Sequence, residues 1–173
     1  SYNLIHRILN NSNKKNLGME GYPSEFGMYL SIIKLSGLHK SLNKEFKFVE
    51  PSKSNKELKS LYDDFNKFIK SKDKPVTFSE IYDLFSQQPY GVKKGLIPIL
   101  IAVFFMTNEG SYALYNTDEK DKEYLITDYD KRICERFIHT PETMKIMFVK
   151  IEGEKQKLLE EFKIYVENKY LSG

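Results

Sequence analysis

The chain has 173 residues, 40% hydrophobic and 29% charged, enough for one substantial core or two small subdomains sharing an interface. Lysines and arginines number 27 against 24 acidic residues, and the net charge of +3 is milder than a dedicated nucleic-acid binder concentrates. One cysteine excludes an internal disulfide framework and fits a reducing cytoplasm, and no segment reads as a signal peptide or membrane span.

Leu4, Ile5, Ile8 and Leu9 recur at helical spacing, so residues 3–10 read as a short helix. Residues 10–21 are polar and glycine-bearing, hence a loop. Pro23 and Ser24 open a second helix, with Phe26, Tyr29, Leu30 and Ile33 as its apolar stripe and Gly37 ending it. Phe46 and Phe48 alternate with lysine ahead of Pro51, which suggests a short extended segment. From Asn55 the helical period is strong: Leu58, Leu61, Tyr62, Phe65, Phe68 and Ile69 share one face, with lysine and aspartate opposite. Thr77-Phe78-Ser79-Glu80 is a capping box, a hydroxyl at the N-cap with a carboxylate three residues on, and Ile81, Leu84 and Phe85 supply that helix's buried side.

The stretch from Pro89 to Met106 organises the rest. Pro98 lacks an N–H and is tolerated only in a first helical turn, which starts a helix near Leu96 or Ile97. The run that follows has no polar face, the pattern of a helix buried all round. It is far shorter than the roughly 20 residues that cross a bilayer. Gly91 and Gly95 bracket Lys93 and Lys94, and the spacing matches neither a phosphate loop nor a dinucleotide fingerprint.

Beyond Gly110, two β-prone runs at 112–116 and 122–126 flank a polar tip at 117–121 and read as a hairpin. Asp128 is expected to cap a further helix with Ile133, Cys134 and Phe137 inward. Thr140-Pro141-Glu142 resembles a second helix start, and residues 144–151 are β-rich. The last segment, about 154–171, reads as an amphipathic helix with Leu158, Leu159, Phe162, Tyr165 and Val166 as its apolar face.

The fold class expected is α+β, mostly helical, with a winged-helix-like half made of helices and a β-hairpin. Three segments follow: an N-terminal helical segment (1–54) packed on the main domain, the winged-helix-like domain (55–151) and a C-terminal amphipathic helix (152–173). Chemistry is sparse. His6, His39 and His139 are scattered, without metal-ligand spacing. Cys134 lies between Arg132 and Arg136, which would lower its pKa, but a small core hydrophobe is the plainer reading. Asp63-Asp64 and Asp128/Asp130 suit solvated faces and caps. No nucleophile elbow or HExxH is present. The chain therefore reads as non-catalytic and cofactor-free. The buried third helix offers no polar face to a DNA groove. Nucleic-acid contact, if made, falls to Lys93, Lys94, Lys120, Lys122 and the lysine face of the helix after Asn55, independent of base sequence.

Two segments carry a resemblance. One runs from Gly21 to Ser31 (GYPSEFGMYLS) with Gly37-Leu38-His39; the other is Pro89 to Pro98 (PYGVKKGLIP), followed by Ala113-Leu114-Tyr115 and Arg136-Phe137. Together they resemble a winged-helix-like region downstream of the ATPase core in large bacterial P-loop ATPases of phage-exclusion (BREX-type) defence systems. The resemblance carries no catalytic residue. It implies a regulatory or interaction module of a larger ATPase, with a protein partner or the rest of a longer polypeptide to bind. Direct, sequence-independent nucleic-acid binding is the alternative. A start at Ser1 rather than Met agrees with a piece of a longer protein.

Overall fold

The computed structural model describes residues 2–149 and 152–171. The architecture is α+β. Helix α1 (Tyr2–Asn10) buries Leu4, Ile5, Ile8 and Leu9. A tight turn follows in which Asn16 and Leu17 adopt left-handed backbone, at φ 51° and 54°. Leu17 tolerates that unfavourable region because its side chain is fully buried. The second helix begins at Phe26 rather than Pro23: α2 (Phe26–Met28) passes directly into a π-helical stretch, Tyr29–Lys34. Its Tyr29 and Ile33 reach the core, as the stripe requires.

The extended segment at Phe46–Phe48 has a partner that the sequence did not announce. β1 (His39–Leu42) and β2 (Glu45–Phe48) form an antiparallel ribbon joined by Asn43 and Lys44, both at positive φ (52° and 70°). α3 (Lys56–Lys70) is capped by the Asn55 side chain, which accepts from the Leu58 N–H. β3 (Val76–Thr77) leads into α4 (Phe78–Ser86) through the capping box, with the Thr77 hydroxyl and the Glu80 carboxylate each accepting from the other's backbone N–H.

α5 (Ile97–Thr107) is the centre. Every residue from Ile97 to Met106 is buried. α1 and β2 pack against it, and so does α4. Phe104 meets the rings of Tyr62, Phe65 and Phe85 edge to face, which joins α3 and α4 to the same core. α1 also packs on α6 (Lys131–His139), and its Asn10 amide donates to the Tyr129 carbonyl at 2.9 Å. Buried residues from Leu4 to Ile146 thus share one continuous cluster, to which the segments before and after Asn55 both contribute.

The hairpin forms from β4 (Tyr112–Thr117) and β5 (Glu123–Leu125). It is part of a four-stranded antiparallel sheet in the order β3-β6-β4-β5, where β6 is Met144–Phe148. β6 lies between β3 and β4, so the strand furthest along the chain occupies an inner place. Three local expectations are corrected. Thr117 belongs to β4 and is buried, so the tip starts at Asp118. α6 (Lys131–His139) is capped by Asp130, whose side chain accepts from the Ile133 N–H, and not by Asp128. Pro141–Thr143 makes only one turn of 3-10 helix before the backbone becomes extended, with no side-chain cap from Thr140.

α7 (Glu152–Leu171) is the last element. The expected amphipathic face is corrected: apolar residues are spread around α7 and not gathered on one side, and Leu158, Phe162 and Tyr165 are 66%, 65% and 59% exposed. The Leu159 side chain lies outside the described residues.

Candidate interaction surfaces

The four lysines singled out from the sequence form two exposed pairs. Lys93 and Lys94 sit in the loop leading to α5, and Lys120 and Lys122 sit at the β4–β5 tip. Lys94 borders an open cavity of about 580 Å³ with Tyr82, Asp83, Pro98, Ile138 and Pro141. The tip is built around Asp118. One of its carboxylate oxygens accepts from the Lys120 and Lys122 backbone N–H groups, both at 2.9 Å, and the other from the Tyr124 hydroxyl at 3.1 Å. The N–H donors hold the carboxyl below its ordinary range. The tip also holds Glu119 and Asp121, so three carboxylates outnumber two lysines there. Lys122 lies over the Tyr124 ring, 5.3 Å from its centroid.

The lysine face of α3 is partly committed elsewhere. Lys59 bridges Asp63 at 2.9 Å and Glu50 at 3.4 Å, Lys70 covers the Phe148 ring, and Lys72 covers Phe68.

Neither Cys134 nor His39 has the setting of a reactive group. Cys134 is fully buried, and that burial, reinforced by the Asp130 charge, pushes its thiol up to about 12. The arginines on either side do not reverse the shift. His39 is held at both nitrogens, Nδ1 2.9 Å from the Tyr29 hydroxyl and Nε2 2.7 Å from the Ser12 carbonyl. A carbonyl only accepts, so Nε2 carries the proton and Nδ1 accepts from Tyr29. Burial keeps the ring below its ordinary pKa, and therefore neutral, and the rings of Phe46 and Phe48 pack against it. This histidine ties the Ser12 loop to the β1–β2 ribbon. Among the described residues no group of His, Cys, Asp or Glu side chains is placed to hold a metal ion.

An open groove of about 540 Å³ runs between α6 and the β4–β5 tip, with Arg132, Arg136 and His139 along one helix face. Arg136 donates to the Thr143 hydroxyl at 3.3 Å, and the Thr117 hydroxyl on the groove wall is buried without a partner. Asp118, Glu119 and Glu135 line the same groove, so its charges nearly cancel.

No family model, curated protein or solved structure matches this chain.

Two surfaces remain that the fold itself does not use. One is α7, where Ile164 is also 55% exposed. The other is the outward side of the β1–β2 ribbon, which sequence reasoning missed. Its only advance signal is the spacing of Lys40, Lys44 and Lys47, which becomes informative once the register is known. Among the described residues, no helix is long and apolar enough to cross a membrane.

Proposed function

We propose that this chain is a non-catalytic interaction module that recruits a partner protein through α7. The observation that carries the reading is the set of four large apolar side chains on that helix, Leu158, Phe162, Ile164 and Tyr165, each more than half exposed. Leu158, Phe162 and Tyr165 recur at i, i+4 and i+7, the spacing of anchors on a helix laid into an apolar groove, while Ile164 falls on another side of the helix. The remaining surface mixes Glu160, Glu161 and Glu167 with Lys163 and Lys169. Helices that lie on membranes favour a basic polar face, and α7 lacks one. A protein partner, or another part of a longer polypeptide, suits this pattern. The setting we propose is the large phage-exclusion ATPase suggested by the Gly21–Ser31 and Pro89–Pro98 segments, and that setting rests on the resemblance alone.

The test is site-specific photo-crosslinking in cells that express the chain in its native context. A photoreactive residue at position 162 is expected to capture one defined protein segment. Leu158→Glu on the same helix should abolish the cross-link, and a photoreactive residue at Glu160 should capture little. Equal capture from positions 160 and 162, or none from 162, overturns the assignment.

A further inference from the structure

We propose that the β1–β2 ribbon is a nucleic-acid contact that holds the phosphate backbone through Lys40, Lys44 and Lys47. The proposal is independent of α7. Lys40 stands directly opposite Lys47 in the antiparallel register, and both are exposed. Directly paired residues project from the same face, so two ammonium groups are held side by side, the arrangement that repels across a ribbon. The third lysine is at the apex. Lys44 has φ 70°, in a two-residue turn whose second position ordinarily favours glycine. The ribbon thus carries a lysine where its own geometry asks for glycine, and a like-charged pair where an opposite-charge pair would be favourable.

None of the three lysines makes an ion pair among the described residues, in contrast to Lys59 and Lys145. The ribbon's one carboxylate, Glu45, stands opposite Leu42 on the same face as the two lysines and makes no ion pair among the described residues. The three ammonium groups stand on a fixed base. Phe48 and His39 pair on the inner face, both are buried, and the histidine is held at both nitrogens. The Val49 N–H donates to the Leu38 carbonyl at 2.9 Å, which extends the ladder below the ribbon. Ser12 and Asn13 line the same groove as Lys47, together with Glu45 and Glu109, and the exposed Lys14 and Lys15 follow them in the chain.

Closely spaced point charges without an accompanying base-reading side chain suit phosphates, which position a protein but carry no sequence information. A two-stranded ribbon also has the dimensions to enter a duplex major groove. Binding is therefore sequence-independent and dominated by counterion release.

The test is a fluorescence-anisotropy titration of the full chain against a labelled mixed-sequence duplex at about 50 and about 200 mM salt. A dissociation constant of about 10⁻⁴–10⁻⁶ M is expected near physiological salt, and tighter binding at the lower salt. Three phosphate contacts give a log–log salt slope of about −2.7, so binding should weaken about 40-fold between the two conditions. Lys40→Ala/Lys44→Ala/Lys47→Ala should flatten that slope to well under half and largely abolish binding. The quadruple alanine variant at Lys93, Lys94, Lys120 and Lys122 should bind like the parent chain. Relief of the like-charge pair should leave the triple variant's melting temperature unchanged or higher, which separates lost contact from lost fold. Three outcomes overturn the proposal: no binding at the lower salt, an unchanged slope in the folded triple variant, or competition by polyglutamate equal to that by DNA at matched charge. The last would assign the ribbon to acidic proteins.

Discussion

Replacing phenylalanine by alanine at two positions, Phe104 on α5 and Phe162 on α7, should separate the core from the docking surface. Phe104 is completely buried, with ring centroids 5.3 Å from Tyr62, 5.4 Å from Phe65 and 6.5 Å from Phe85. Truncating such a side chain costs about 3–5 kcal/mol, because the apolar area returns to water on unfolding and the cavity collapses only in part. The edge-to-face pairs belong within that figure, at roughly 0.5–1.5 kcal/mol each. For a domain of this size each kcal/mol lowers the melting temperature by about 2–4 °C, so Phe104→Ala should melt about 6–20 °C below the parent chain. Phe162 is 65% exposed, and the same truncation there should fall within about 0.5 kcal/mol. The chain has no tryptophan, so urea unfolding is best followed by far-UV circular dichroism, with the denaturant slope checked for constancy. Comparable losses at the two positions, or a loss under about 1 kcal/mol at Phe104, would refute the account of α5 as the centre of the core.

Two further predictions concern titrating groups. With its thiol pushed up to about 12 inside the core, Cys134 should react with a disulfide reagent near neutral pH only as fast as the protein unfolds, and completely in denaturant; rapid labelling of the native chain would contradict its burial. His39 has a native pKa below its ordinary 6.5, so the unfolded chain binds its proton first as pH falls. Its contribution to stability is full above about pH 6.5 and is lost as pH drops through the native pKa. A His39→Gln variant should be less stable at neutral pH but should lose less between about pH 7 and pH 5. An identical decline in both chains would remove His39 from the account.

Legibility in the sequence followed the strength of the local signal. α3 and α5 were readable because one has a complete apolar stripe and the other no polar face at all, and the Thr77/Glu80 box fixed the start of α4. β1 was hidden because its residues, His39-Lys40-Ser41-Leu42, include only one aliphatic side chain, and that leucine is exposed. The turn that pairs it with β2 uses Asn-Lys in place of the more recognisable Asn-Gly. Asp128 and Asp130 offer two caps two residues apart, and only the final packing of Cys134 and Phe137 selects the second. The β-prone character of Met144–Phe148 was visible, but its partners β3 and β4 lie far back in the chain and leave no mark on its composition. The lysines were countable from the outset. Which of them face carboxylates, aromatic rings or each other depended on strand register, a tertiary property.

The position of β6 bears on how the chain reaches its native state. Until Met144–Phe148 is available, β3 and β4 each lack the neighbour that both pair with in the finished sheet. α1 packs against α5 and α6, far along the chain from it, so its contacts also wait for distant sequence. Such long-range closure slows folding, because loop entropy is lost before any contact compensates for it. A nascent or truncated chain ending before Met144 would leave the strand edges of β3 and β4 that β6 covers open to intermolecular pairing.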